Sequence, residues 1–225
     1  MILYLHGFAS GPDSTKARFF ADRLAATGAT VRIPDLAPDF THLTVTSMLA
    51  IVDPLLAREP AVLFGSSLGG YLAALVAERR PERVRALVLF APAFGFVQRW
   101  EERIGAAEVA RWRAARVLPT YHYGRGREEP LAIDILDDGR RWPEEPDPPA
   151  RALVFAGRRD EAVPLAAVER FVARRPDARE LVVMESGHEL TDVLEPMWQR
   201  TAAFLSSSAP SAGGARRAPG RAPGG

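Results

Sequence analysis

The sequence predicts an α/β fold in which a mostly parallel, six-stranded sheet is covered by helices on both faces. Six short apolar runs have the length and composition of buried strands, and they lie at residues 2–5, 30–33, 61–64, 84–90, 152–155 and 181–184. Helical hydrophobic patterns separate most of these runs, and such alternation is typical of parallel sheets. With 225 residues, of which 47% are hydrophobic, the chain can bury one sizeable core, so we expect a single domain.

The first helices have boundaries that the sequence explains. Asp13 or Ser14 can cap a helix that follows the first strand and ends at Gly28. Residues 43–58 form a second helical pattern that contains Pro54. Because proline lacks the N–H that a helix interior needs, we expect a kink or a restart there.

The third strand is followed by the most informative motif of the chain. The frame Gly65-x-Ser67-x-Gly69 stands between the apolar run 61–64 and a helix that begins at Leu68. A strand, a sharp turn and a helix in this order hold a serine hydroxyl above the edge of a sheet, where it can act as a nucleophile. Glycines flank the serine because side chains would collide with the backbone in so tight a reversal. The alternative is that Ser67 is only a turn residue without a catalytic role.

The region from residue 94 to residue 148 interrupts the alternation of strands and helices. Helices are predicted at residues 96–104 and 107–117, and residues 121–135 are expected to form a hairpin or an irregular arm. We expect this insertion to cap the functional site. Its acidic residues Asp134, Asp137 and Asp138 and its arginines Arg99, Arg103, Arg111 and Arg113 are expected to be solvated.

Regular alternation resumes after the insertion. Pro164 begins a helix over residues 165–174, and the last helix carries an apolar stripe from Leu190 to Leu205. From residue 206 to residue 225 only Ser, Ala, Pro, Gly and Arg occur, so this tail is predicted to be disordered. The domain is therefore expected to span residues 1–205.

The composition excludes several classes of function. The net charge is +1 and three of the arginines lie in the tail, so no basic surface for nucleic acid or an anionic membrane is expected. The absence of cysteine excludes disulfides, thiolate metal sites and a cysteine nucleophile. No apolar stretch is long enough to cross a membrane and no signal peptide is evident, so we expect a cytoplasmic protein. We also expect no metal and no cofactor, and a monomer or a weak dimer.

Two further residues follow later strands and can complete a catalytic group with Ser67. Asp160 comes just after the fifth predicted strand, and His188 comes just after the sixth. Serine needs a base within hydrogen-bonding reach and a third group that orients this base, and the chain order Ser, Asp, His fits a strand-turn-helix nucleophile. Two alternatives are that His188 is a surface histidine and that Asp160 only caps a helix. Glu161 is the rival acid.

A loop after the first strand is expected to help stabilise a developing oxyanion. The backbone N–H of Phe8, in His6-Gly7-Phe8, can converge with the N–H of Leu68 because the first and third strands are predicted neighbours. His6 itself is expected to brace this loop rather than to act as a base.

Taken together, these motifs resemble the α/β-hydrolase superfamily over residues 1–205. The segments His6-Gly7-Phe8-x-Ser10-x-Pro12-x-Ser14-x-Lys16 and Gly65-Ser66-Ser67-Leu68-Gly69-Gly70-Tyr71 are similar to those of the small bacterial YqiA/YcfP-like esterases. The resemblance implies a three-layer α/β-hydrolase fold and a cofactor-free serine hydrolase that acts on small-molecule carboxylic esters or acyl thioesters. It assigns Ser67, Asp160 and His188 to the catalytic triad.

The substrate pocket is predicted from the aromatic and histidine residues of the insertion and of the first loop. These are His6, Phe94, Phe96, Trp100 and His122. The insertion matches no diagnostic pattern, so the identity of the substrate stays open. A peptidase or another amide hydrolase on the same fold, and a ligand-binding module without catalysis, are the alternatives.

Overall fold

A computed structural model describes residues 1–207 of the chain, and the predicted tail beyond them lies outside the described residues. The strands are β1 Ile2–Leu5, β2 Val31–Arg32, β3 Ala61–Ser66, β4 Val84–Phe90, β5 Val117–His122, β6 Arg127–Ala132, β7 Ala152–Gly157 and β8 Arg179–Met184. The α-helices are α1 Thr15–Ala26, α2 Val45–Arg58, α3 Leu68–Arg79, α4 Phe96–Ile104, α5 Ala106–Ala115, α6 Asp134–Gly139, α7 Leu165–Ala173 and α8 Leu194–Ser206. Short 3₁₀ turns at Pro81–Arg83 and Thr191–Val193 precede β4 and α8.

Six strands form one sheet in the order β2-β1-β3-β4-β7-β8, and every neighbouring pair is parallel. All six lie at the predicted apolar runs, so the predicted sheet is confirmed. Because the strands are parallel, their carboxyl ends meet at one edge, where ligands bind in such sheets. β3 and β4 lie at the centre, which places the residues after β3 in the middle of this edge.

Successive residues of the central strands face two separate hydrophobic cores. Leu63 of β3 faces one core, which is closed by α2, α3 and α7, whereas Phe64 faces the other, which is closed by α1 and α8. This alternation follows from the pleat, in which neighbouring side chains point to opposite sides. The central strands are therefore buried on both faces, which explains why their sequences are nearly continuous apolar runs.

Two predictions for the first half of the chain need correction. Of the two outcomes predicted at Pro54, the restart is wrong, because α2 is continuous from Val45 to Arg58. Pro54 is exposed, while Leu49, Val52 and Leu56 keep the opposite face of the helix buried. The strand predicted at residues 30–33 is reduced to β2, at the edge of the sheet.

The insertion between β4 and β7 contains α4, α5, the β5–β6 hairpin and α6. Of the two arrangements predicted for its middle part, the structure has the antiparallel hairpin. Helix α5 ends at Ala115, two residues before the predicted end, because Arg116 adopts a left-handed conformation (φ 66°) that ends the helix. Trp112, Leu131 and Ile133 are fully buried in the same core as the central strands, so the insertion packs onto the sheet as part of one body.

The prediction that the three acidic residues of α6 are solvated is wrong for Asp138. This side chain is buried, and its two carboxylate oxygens accept hydrogen bonds from the N–H (2.8 Å) and the hydroxyl (2.6 Å) of Thr46. Thr46 lies in the first turn of α2, whose N–H groups have no partner within the helix. Asp138 therefore joins the insertion to the start of α2.

Among residues 1–207, no helix combines the length and the apolar character that a membrane span requires.

Candidate active site

Ser67 occupies a strained turn between β3 and α3. Its backbone angles are φ 51° and ψ −117°, a conformation that non-glycine residues seldom adopt. Its N–H donates a hydrogen bond to the carbonyl of Phe90 (2.9 Å), and its carbonyl accepts one from the N–H of Ala93 (3.0 Å). The same carbonyl accepts hydrogen bonds from the N–H groups of Gly70 and Tyr71 in α3. The end of β4 and the residues that follow it thus hold Ser67 in this turn.

The glycines of the predicted motif are required by close backbone packing. A Cβ atom on Gly69 would overlap the carbonyl of Leu5, and one on Gly65 would overlap the carbonyl of Gly69. The first turn of α3 can therefore approach β1 and β3 only because these positions lack side chains. This explains in physical terms why a serine at this turn is flanked by glycine.

The structure brings together the three side chains that the sequence predicted to meet. The hydroxyl oxygen of Ser67 lies 2.9 Å from Nε2 of His188, and Nδ1 of His188 lies 2.8 Å from a carboxylate oxygen of Asp160. These residues follow β3, β8 and β7, and they meet at the carboxyl edge of the sheet. In this arrangement His188 can accept a proton from Ser67 while Asp160 orients the imidazole.

Asp160 is held in place by backbone groups. Its other carboxylate oxygen accepts hydrogen bonds from the N–H groups of Ala162 and Val163, both at 2.8 Å. The carboxylate side chain is only 1% exposed. Glu161, the rival acid, is exposed and has no ion pair with another described residue. Asp160 is therefore the carboxylate that His188 contacts.

The loop that carries His188 is fixed by a hydrogen bond that the sequence did not predict. The buried hydroxyl of Ser186 donates to the carboxylate of Asp192, and this bond lowers the pKa of Asp192. Leu190, between them, has a positive φ of 53°. The bond thus closes a short loop around His188.

Backbone strain is concentrated at this edge of the sheet. Five non-glycine residues in the described part of the chain have a positive φ, and four of them lie beside the site: Ala9, Ser67, Ala91 and Leu190. Such conformations cost of order 1–3 kcal/mol each and persist where the surroundings enforce them. Their position supports a functional role for this edge.

The loop after β1 lies against Ser67, as predicted. A Cβ atom on Gly7 would be 3.4 Å from the carbonyl oxygen of Ser66 and 3.5 Å from Cβ of Ser67. Within residues 1–207, the backbone N–H groups of Phe8 and Leu68 donate no hydrogen bond to another backbone group. Both groups are therefore available to an oxygen atom bound next to Ser67.

His6 has contacts that suit its predicted bracing role. Nε2 accepts a hydrogen bond from the N–H of Leu36 (3.0 Å), and Nδ1 lies 3.0 Å from the carbonyl oxygen of Gly7. Burial lowers the pKa of His6, which favours the neutral ring that these two contacts require. His6 thus links its own loop to the segment before α2.

The five residues predicted for the substrate pocket differ in their burial, and their role in a pocket stays a prediction. His6, Phe94, Phe96 and His122 are buried, and each packs against the body of the protein instead of lining the cavity beside His188. Phe94, for example, stacks on Phe171 of α7 with the ring centroids 4.5 Å apart. Trp100 is partly exposed, and its ring meets the Phe8 ring edge-on at 4.9 Å. Trp100 is therefore the one residue of the five that keeps an accessible surface, and it contacts the loop after β1.

The cavity beside His188 has a volume of about 400 Å³, and most of its lining was missed at the sequence level. The lining consists of Arg103, Arg159, Glu161, Ala162 and His188. Arg103 is exposed, as expected of a solvated helix face, although its contribution to the cavity was not predicted. Arg99, one turn earlier, was also expected to be solvated but is only partly exposed. The spacing of Phe96, Trp100 and Arg103 on one face of α4 could have indicated that this face packs toward the body of the protein and brings Arg103 to the cavity.

Among the described residues, no group of three or more His, Asp or Glu side chains is arranged to hold a metal ion.

Several solved structures resemble this chain over 92% of its length. They include the mouse protein alpha/beta hydrolase domain-containing protein 10 (17% identity, 89% of that chain, TM-score 0.75). Est1E from Butyrivibrio proteoclasticus with ferulic acid bound (17% identity, 88% of that chain, TM-score 0.75) is also similar. So is a structure of the metagenome-derived lipolytic enzymes LipS and LipT (21% identity, 93% of that chain, TM-score 0.67).

At these identities the likeness establishes the fold, which is the α/β-hydrolase fold that the sequence motifs predicted. Curated protein sequences contain no match to this chain. A family match covers residues 1–206, almost the whole of the described chain. The chain therefore belongs to the uncharacterised protein family UPF0227.

Proposed function

We propose that this protein is a serine hydrolase that cleaves small-molecule carboxylic esters or acyl thioesters through an acyl-Ser67 intermediate. The observation that carries the proposal is the continuous hydrogen-bonded path from Ser67 through His188 to Asp160, with distances of 2.9 and 2.8 Å. A serine that is to attack a carbonyl at neutral pH needs such a base and such an orienting acid.

The first half of the reaction forms the acyl-enzyme. Nε2 of His188 takes the proton of the Ser67 hydroxyl, and the serine oxygen attacks the carbonyl carbon of the substrate. The bond to the leaving group then breaks, and His188 gives its proton to the departing alkoxide or thiolate. Asp160 fixes the Nδ1–H tautomer of His188 and stabilises the imidazolium that forms in between.

The second half repeats these steps with water. His188 takes a proton from a water molecule that attacks the acyl carbon, and it returns this proton to Ser67 as the acid product leaves. In both halves the carbonyl oxygen becomes negatively charged, and the N–H groups of Phe8 and Leu68 are the donors proposed to stabilise it. Loss of one such donor typically slows turnover by about 10²–10³.

The test is the substitution Ser67→Ala, assayed with p-nitrophenyl acetate and with a fluorophosphonate probe. We expect the wild-type protein to hydrolyse the ester and to be labelled at Ser67. The variant should lose labelling and about 10⁴-fold or more of its activity, because the attacking oxygen is gone. Ser66→Ala, which removes the neighbouring hydroxyl, is the matched control. This variant should keep both the probe labelling and the ester hydrolysis of the wild type.

Two results would contradict the proposal. If a correctly folded Ser67→Ala variant, checked by circular dichroism, hydrolysed the ester as fast as the wild type, Ser67 would not be the nucleophile. If the wild-type protein reacted with the probe but cleaved only peptide amides in a panel of esters, thioesters and amides, the proposed substrate class would be wrong.

A further inference from the structure

Helix α4 turns one face toward α3, the loop after β1 and the cavity beside His188. Phe96, Trp100 and Arg103 recur at helical spacing, so they share this face. Phe96 packs on Tyr71 of α3 with ring centroids 5.3 Å apart, and Trp100 packs on Phe8. These two contacts orient the helix, so that Arg103 reaches the cavity beside His188.

The lining of this cavity carries an excess of positive charge. Among residues 1–207, the side chain of Arg103 has neither a hydrogen-bond acceptor nor a carboxylate within ion-pair distance. Arg159 donates one hydrogen bond, from Nη2 to the carbonyl of Glu185 (2.9 Å), and no carboxylate of the described part pairs with it. Glu161 is the single acidic residue of the lining, so two guanidinium groups face one carboxylate.

Arg99 contributes a third positive charge near the cavity. Arg99 lies one turn before Arg103, and its Nε atom is buried with no hydrogen-bond partner in the described structure. Burial lowers the pKa of Arg99, and the negative charge of Asp160 opposes this shift. Arg99 therefore keeps a poorly solvated positive charge within electrostatic reach of the catalytic group.

The position of the cavity identifies the part of a substrate that it would hold. In the proposed reaction His188 protonates the leaving atom, so the leaving group must depart on the side of the imidazole. The cavity is on that side because His188 is part of its lining. The acyl group, by contrast, is bonded to Ser67 and turns its carbonyl oxygen toward Phe8 and Leu68.

We propose that the arginine-lined cavity binds an anionic group, a carboxylate or a phosphate, on the leaving alcohol or thiol of the substrate. This inference rests on the proposed hydrolase function and narrows its substrate class. Guanidinium groups suit this task because their planar N–H donors match the oxygen atoms of carboxylate and phosphate. The preferred substrates are therefore esters or thioesters whose released alcohol or thiol carries a carboxylate or a phosphate group.

The kinetic test compares isosteric substrates that differ in charge. For the leaving side these are 4-acetoxybenzoate and neutral 4-acetoxybenzamide, with 4-acetoxyphenyl phosphate as the phosphate arm. For the acyl side they are monophenyl adipate and its neutral carboxamide. We expect kcat/KM to favour the leaving-side anions by about tenfold at low salt, mainly through KM, and the preference to shrink as salt screens the charges. The acyl-side pair should differ little.

Substitution of the cavity arginines should reduce this preference. In Arg103→Gln and in Arg159→Gln, we expect the ratio of kcat/KM for 4-acetoxybenzoate to that for 4-acetoxybenzamide to fall about threefold to tenfold. Arg85→Gln is the matched control, because Arg85 is an exposed arginine in β4 and lies outside the cavity lining. Its ratio should equal that of the wild type. A preference that survives both cavity substitutions, or that appears only on the acyl side, would overturn the inference.

A binding measurement separates this inference from the proposed reaction. The Ser67→Ala variant cannot form an acyl-enzyme, yet its cavity is intact. By calorimetry it should bind the product 4-hydroxybenzoate more tightly than 4-hydroxybenzamide, and Arg103→Gln in that background should remove the difference. If the two ligands bind equally, the inference fails even when ester hydrolysis depends on Ser67. If Ser67→Ala shows this difference in binding but the wild-type protein hydrolyses none of the esters, the anion site stands and the proposed reaction is wrong.

Discussion

Lys16 is the only lysine among the 29 basic residues of the chain. It lies in the first turn of α1 and is only 5% exposed, with its ammonium group 5.8 Å from the centre of the Phe90 ring. Burial lowers its pKa to about 8, and the negative charges of Glu189 and Asp160 only partly offset this effect. An arginine would remain charged at this position at any ordinary pH, whereas a lysine can become neutral.

The lowered pKa of Lys16 predicts how stability depends on pH. Between the pKa of the folded state, about 8, and that of the unfolded state, about 10.4, the unfolded chain binds more protons. The free energy of unfolding should therefore rise with pH across this window, by roughly 3 kcal/mol in all. Below pH 8 both states are protonated, so this residue adds no slope there.

Urea titrations at several pH values between 7 and 10.5 measure this slope. In Lys16→Met the rise should be absent, and the variant should be more stable than the wild type at pH 7 because no buried charge has to be desolvated. Tyrosines also titrate near pH 10, and the difference between wild type and variant removes their contribution. An equal slope in the two proteins would show that Lys16 keeps its usual pKa.

At the scale of elements, Asp138 holds the insertion to the start of α2. It is the acceptor for both the N–H and the hydroxyl of Thr46, and it is buried. Asp138→Ala would leave these donors without a partner and remove a negative charge from the N-terminus of the helix. We expect a loss of about 1–3 kcal/mol in the free energy of unfolding, measured by urea denaturation.

Asp134→Ala is the matched control for this substitution. Asp134 lies in the same helix, but it forms an exposed ion pair with Arg116. Such pairs contribute little, so we expect a loss below about 1 kcal/mol. Equal losses in the two variants would mean that the contact between Asp138 and Thr46 does not stabilise the fold.

The sequence predicts some elements better than others, for physical reasons. The strands β1, β3, β4 and β7 are almost completely buried, so they appear in the sequence as apolar runs that could be identified. The edge strands β2 and β8 are less buried, and β2 is shorter than predicted. The hairpin strands β5 and β6 each contain a proline, Pro119 and Pro130, which pair with each other and argue against a strand. They are tolerated because a two-stranded ribbon has an open edge on each strand, where a missing N–H loses no hydrogen bond.

Some site residues could also be placed from the sequence, whereas others could not. Ser67, Asp160 and His188 could be placed because strand ends and chain order fix where backbones meet. The pocket could not, since the directions of Phe94, Phe96 and Arg103 depend on how the insertion docks onto the sheet. The Asp138 contact was missed for the same reason, because its partner lies 92 residues away in the chain.

At the scale of the whole molecule, the site is assembled from distant parts of one cooperative body. The side chains that meet at Ser67 come from three strands, and β4 lies between β3 and β7. The insertion shares the hydrophobic core of the central strands through Trp112 and Ile133. We therefore expect the sheet, the insertion and the site to unfold in one transition.

Three probes of the same urea titration test this expectation. Three of the four tryptophans, Trp100, Trp112 and Trp142, lie in the insertion, so fluorescence of a Trp198→Phe variant reports on that region alone. Far-ultraviolet circular dichroism follows the helices of the whole body, and ester hydrolysis follows the site. The three midpoints should coincide. A fluorescence and activity midpoint clearly below that of circular dichroism would instead mean that the insertion opens first and that α4 leaves the site while the sheet is still folded.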